Sequence, residues 1–115
     1  MKIKKLYLII AGIGGGFGGG FPKELLLAED EYEALDYAAA LSREEVASYG
    51  GLHGLPCEDE LDEDEYAEEV ESWIDFDATA ITPDNYKEII NEIEQDFPDD
   101  EIARIYNYIA GLTKN

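Results

Sequence analysis

Between Arg43 and Lys87 the chain carries fifteen Asp and Glu residues and not one Lys or Arg. That window limits what the chain can build. Like charges at i and i+4 each destabilise a helix by about 0.2–0.5 kcal/mol. Any helix formed there must therefore turn its carboxylates to water and bury a narrow apolar stripe. The window supplies most of a net charge of −20. Such a field repels phosphates, nucleic acid and anionic membranes, so the chain either binds something basic or uses its charge for solubility. The 115 residues are 45% hydrophobic, with eight Tyr, four Phe and one Trp. Disordered acidic chains are poor in such residues, so a single folded domain over 1–115 is expected.

Ahead of the window, Lys2, Lys4 and Lys5 precede an apolar run from Leu6 to Ile13. The arrangement imitates a signal peptide, but no A-x-A-like cleavage site follows and the run is too short to span a bilayer. It reads as a buried strand, with Ile3, Tyr7 and Ile9 on one face and Leu6, Leu8 and Ile10 on the other. A glycine-rich run from Gly12 to Gly20 follows, in which Gly14, Gly16 and Gly19 satisfy G-x-G-x-x-G. The run lacks the Lys-Ser/Thr ending of a phosphate-binding loop, and the chain has too few alternating units for a dinucleotide-binding sheet. It is expected to be a flexible or closely packed connection anchored by Phe17 and Phe21, with no cofactor. Pro22 ends it, and Lys23–Ala28 reads as a second strand.

Helical periodicity then takes over. Asp30 is placed to cap a helix, with Glu33 as its N3 partner, and Tyr32, Leu35, Ala39, Ser42, Val46 and Tyr49 follow on one face until Gly50 and Gly51. A second helix is expected from about Asp59–Asp62 to Ile74, anchored by Tyr66, Val70, Trp73 and Ile74. Its other side gathers Asp62, Asp64, Glu65, Glu68, Glu69, Glu71 and Asp75, the candidate partner-binding residues. Phe76–Ile81 is a short strand or extended connector. Thr82 and Pro83 open a third helix through Tyr86, Ile89, Ile90, Ile93 and Phe97. Pro98 ends it, and Asp99 caps a fourth through Ile102, Ile105, Tyr106, Ile109 and Leu112, making a C-terminal helical hairpin. The predicted class is α+β: a small two- or three-stranded sheet with a glycine-rich connection and about four helices packed over one face.

No catalytic constellation emerges, and the chain is expected not to be an enzyme. His53 and Cys57 supply two ligands where a structural zinc needs four. A cysteine–histidine hydrolase would need contacts that spacing does not show. The single cysteine fits a reducing compartment. The acids around Asp62 and Asp64 lack the glycine and spacing of a calcium loop.

The run from Leu6 to Gly19, the alanine-rich acidic helix after it, the segment from Ala47 to Gly54 and the Glu71–Trp73 tripeptide resemble small acidic accessory proteins of tailed bacteriophages. The resemblance spans roughly residues 5 to 75 and transfers no functional residues. It implies expression in the cytoplasm of an infected bacterium and inhibition of host defence, restriction and CRISPR effectors included. The expected function is therefore a nucleic-acid mimic of anti-CRISPR or anti-restriction type, which captures a basic host surface through its carboxylates without touching nucleic acid or membrane. Tyr66 or Phe17 would anchor the complex. The alternative is an adaptor or assembly protein that dimerises through the C-terminal hairpin, its acidity serving solubility.

Overall fold

The computed structural model describes residues 4–14, 17–50, 55–57, 59 and 61–112. In chain order the elements are β1 (Lys5–Ile13), β2 (Gly19–Ala28), α1 (Glu31–Ser48), α2 (Glu63–Trp73), β3 (Ile74–Ala80), α3 (Tyr86–Ile93) and α4 (Asp99–Leu112). The fold is α+β, as the alternation of periods predicts. The sheet has the order β2-β1-β3, with β1 antiparallel to both neighbours. β2 and β3 therefore run parallel on either side of β1, and the segment containing α1 and α2 carries the chain across between them.

The sheet is covered on both faces, which corrects the expectation of helices over one. Leu6 and Leu8 share a core with Leu25, Ile81, the α3 residues Ile89, Ile90 and Ile93, Phe97, and Ile105 and Ile109 of α4. Tyr7 and Ile9 point the other way, into a second cluster with Ala28, Ala34, Ala38 and Ala78. Consecutive strand side chains alternate in direction, so an unbroken apolar run needs cover on both sides. Each fully buried Leu or Ile contributes about 1.5–3 kcal/mol, and a one-sided layer would forfeit half of that.

The α1 cap forms largely as the spacing predicts. The Asp30 carboxylate accepts the Glu33 N–H at 2.9 Å, and the Glu33 carboxylate accepts the Glu29 N–H at 3.2 Å, one residue earlier than a capping box requires. The buried face keeps Ala39, Ser42 and Val46 of the predicted one but departs from it at both ends. Ala34, Ala38, Ala39, Ser42 and Val46 are buried, whereas Tyr32 is 79% exposed and Tyr49 is 47% exposed. Alanine at 34 and 38 lets the helix approach the sheet closely, a geometry that tyrosine on the same face would prevent.

β2 begins at Gly19, four residues earlier than expected, because the ladder runs into the glycines: Gly12 pairs with Gly20 and Ile13 with Gly19. The glycine run thus forms strand ends as well as a turn. Its composition follows from crowding, since a Cβ on Gly12 would lie 2.4 Å from the Gly19 carbonyl oxygen. Gly19 itself has φ +85°, which a side chain disfavours. Pro22 lies inside β2, not before it. Register slips beside it, with Ile9 opposite Glu24 and Ile10 opposite Pro22, leaving Lys23 as an extra residue on this edge strand.

The C-terminal half needs smaller corrections. β3 begins at Ile74, two residues early. Thr82 and Asn85 exchange hydrogen bonds, Asn85 Oδ1 accepting the Thr82 N–H at 2.8 Å and Thr82 Oγ1 accepting the Asn85 N–H at 3.2 Å. They close a turn that precedes α3, so the helix starts at Tyr86 and not at Pro83. It ends at Ile93, and Phe97 reaches the core from the connecting turn. Pro98 gives its carbonyl to the N–H groups of Glu101 and Ile102, which makes Asp99 the first residue of α4 and not its cap.

Candidate functional site

The acidic window builds its helix where periodicity places it. Asp62 caps α2, its carboxylate accepting the Glu65 N–H at 2.8 Å. That hydrogen bond, with further help from the Glu65 side chain and the Asp64 N–H, holds the Asp62 carboxyl below its ordinary range. Val70 is buried, and Tyr66 and Trp73 are half-buried, in a third cluster with Ile13, Val46, Leu55, Phe17 and Ile74. The Phe17 ring meets Trp73 edge to face at 5.9 Å between centroids. Phe17 thus helps to hold α2 against the end of the β1–β2 hairpin.

The seven candidate carboxylates separate into two groups. Asp62 is engaged as the cap. Glu71 pairs with Arg43, which reaches it from α1. Asp75 is not on the helix but on β3, where its side chain crosses over Gly12 and accepts the Gly20 N–H at 2.7 Å. That bond ties β3 directly to β2 across the bare backbone of β1. Its main chain is held from the other direction by Ser42, the buried hydroxyl of α1, which accepts the Asp75 N–H at 3.0 Å and donates to the Gly12 carbonyl. Asp64, Glu65, Glu68 and Glu69 remain, all exposed and with no ion pair among the described residues. Neighbouring positions one turn apart on a helix lie about 5–6 Å from each other. These four therefore form a fixed array of negative charge on one side of α2.

Two readings of the sequence can be checked against geometry. G-x-G-x-x-G binds a pyrophosphate when it joins a strand to a helix N-terminus; here Gly19 opens β2, so the segment links strand to strand. Among the described residues no group of three or more His, Cys, Asp and Glu is placed to hold a metal ion. Cys57 is half-buried, and His53 lies outside the described residues.

A further feature escaped the sequence reading. A niche of about 380 Å³ opens between the hairpin end and the last turn of α1, lined by Gly12, Ile13, Phe17, Gly19, Phe21, Glu45 and Tyr49. Phe21 is 54% exposed at its rim. Two phenylalanines inside a glycine-rich run were the available signal, but which helix end faces them is a tertiary fact.

No protein-family model matches the chain, and comparison with curated proteins and with solved structures returns no significant match.

Proposed function

We propose that this protein is a non-enzymatic inhibitor that occupies the basic, nucleic-acid-binding surface of a bacterial defence effector of restriction or CRISPR type, in the cytoplasm of an infected cell. The observation that carries the reading is the array of Asp64, Glu65, Glu68 and Glu69, which α2 displays without internal counter-charges among the described residues. Charge density supports it. The molecule measures 56 × 34 × 20 Å, and twenty net negative charges along 56 Å is one per about 2.8 Å. A single nucleic-acid strand carries one phosphate per about 3.4 Å and a duplex one charge per about 1.7 Å. A groove that tracks phosphates meets a comparable field here. Electrostatic steering then sets the association rate, and apolar contacts set the residence time. No helix among the described residues is long and apolar enough to cross a membrane.

The adaptor reading draws less support. On α4, Ile105 and Ile109 are buried in the protein's own core, and Tyr106, though 53% exposed, packs edge to face on Tyr86. Leu112 is the other large apolar residue exposed on that helix, which is little for a dimer interface.

Affinity capture from a bacterium carrying restriction and CRISPR systems, repeated at low and high salt, identifies the partner. The triple variant Glu65→Lys, Glu68→Lys, Glu69→Lys should then associate at least tenfold more slowly, with a flattened salt dependence. Association and inhibition unchanged by that variant would sink the charge-mimic reading, and capture that survives high salt undiminished would favour apolar assembly.

A further inference from the structure

We propose that the niche between the β1–β2 hairpin end and the last turn of α1 receives an arginine side chain of a basic partner; this deepens the function proposed above and rests on it for the partner's charge. The walls suit a guanidinium more than any other common group. Phe17, Phe21 and Tyr49 present aromatic surface around a single carboxylate, Glu45. A guanidinium stacks on aromatic faces and donates two parallel N–H bonds to one carboxylate. An ammonium makes a point contact, and a neutral apolar group makes no use of the carboxylate. At about 380 Å³ the niche lies near the lower end of ligand-site volumes, a size for one side chain and not for an extended cofactor.

Three observations give the niche its occupant. Glu45 already attracts a cation: Lys23, the extra residue on β2, holds its Nζ 3.1 and 3.2 Å from the two Glu45 carboxylate oxygens, and an arriving guanidinium takes its place. Both side chains of that pair are partly exposed, at 34% and 27%, so the pair is weak and exchangeable. Phe21 and Tyr49 are 54% and 47% exposed. Large rings left open to water beside a carboxylate, on a chain of net charge −20, are complementary to a side chain that is both cationic and planar. Finally, Phe17 is shared between the niche and the Trp73 contact that seats α2. The niche therefore adjoins the helix that carries the carboxylate array.

The test is an NMR titration of the full-length ¹⁵N-labelled protein with N-acetyl-arginine methylamide, with the corresponding lysine derivative, and with hexa-arginine. Blocked arginine should give saturable shifts at the amides of Gly19, Phe21 and Tyr49, with the lysine derivative binding several-fold more weakly. The double variant Phe21→Ala, Tyr49→Ala should lose those shifts yet bind hexa-arginine with an unchanged salt dependence. Glu45→Gln, which spares the packing, should weaken blocked arginine several-fold and decides the matter if the double variant misfolds. Shifts absent at these amides, spread evenly over the acidic surface, or retained by the variants would overturn the niche. Failure of the charge-mimic reading shows separately, as hexa-arginine binding to the wild type that does not weaken with salt.

Discussion

α1 and α2 are adjacent helices, both rich in acid, and the fold uses them in opposite ways. α1 runs for 18 residues and buries Ala34, Ala38, Ala39, Ser42 and Val46; α2 runs for 11 and buries Val70 alone. α1 is fixed by shape, because its alanines let it lie close on the sheet and its one buried hydroxyl bonds to two strands. α2 is fixed by a cap, one valine and two half-buried rings. The helix least committed to the core carries four exposed carboxylates with no ion pair among the described residues. Carboxylate repulsion there falls on an element whose loosening leaves the sheet and its two cores standing.

The sharpest way to break this contrast is to overfill the α1 seam. Ala38→Leu inserts a side chain among Tyr7, Ile9, Ala28 and Ala78, and should destabilise the whole domain by about 1–3 kcal/mol or more in chemical unfolding. Val70→Ala should cost about 1–2 kcal/mol, from lost burial and the gap left behind. Its signature is local: in hydrogen exchange the α2 amides should lose protection while those of β1 and α1 keep theirs. Uniform loss of protection would show that α2 is as integral to the core as α1. The smallest effect concerns pH. The Asp62 carboxyl lies below its ordinary value of 3.8 in the folded protein. Its contribution to α2 is therefore complete above that value and disappears as pH falls through the lower folded value. α2 should fray in that acid range. Asp62→Asn keeps a capping oxygen without a titrating group, so it should flatten this pH dependence at little cost near neutrality.

The sequence is most informative where periodicity and capping are local. Asp30 as a cap, the Tyr66–Val70–Trp73 stripe and the alternation along Leu6–Ile9 all carry their meaning within a few residues. It misleads where a neighbour decides. Periodicity finds Ala39, Ser42 and Val46 on the buried face of α1 but misplaces its start, because apolar character favours Tyr32 over Ala34 whereas the sheet selects for small size. Asp75 reads as helical because one more step of helical spacing looks the same as the start of a strand. The glycine run looked like a loop because its crowding against β1 and Asp75 involves partners distant in sequence. For the candidate site, four of seven carboxylates stand where the spacing put them, exposed and with no ion pair among the described residues. The removal of Glu71 by Arg43, and of Asp75 by Gly20, depends on packing that no window of sequence displays.

Pro22 and the extra residue Lys23 have a consequence of another kind. β2 is an outer strand of ten residues, long enough to template a neighbouring chain, and at neutral pH mutual repulsion between copies prevents such growth. Near the isoelectric point of about 4.1 that repulsion vanishes. On the β2 edge, resistance to strand addition then falls to one missing N–H and one local distortion of the strand, which together interrupt the row of groups that an incoming strand would need. One edge of a strongly charged protein thus carries a safeguard against self-association that does not depend on charge.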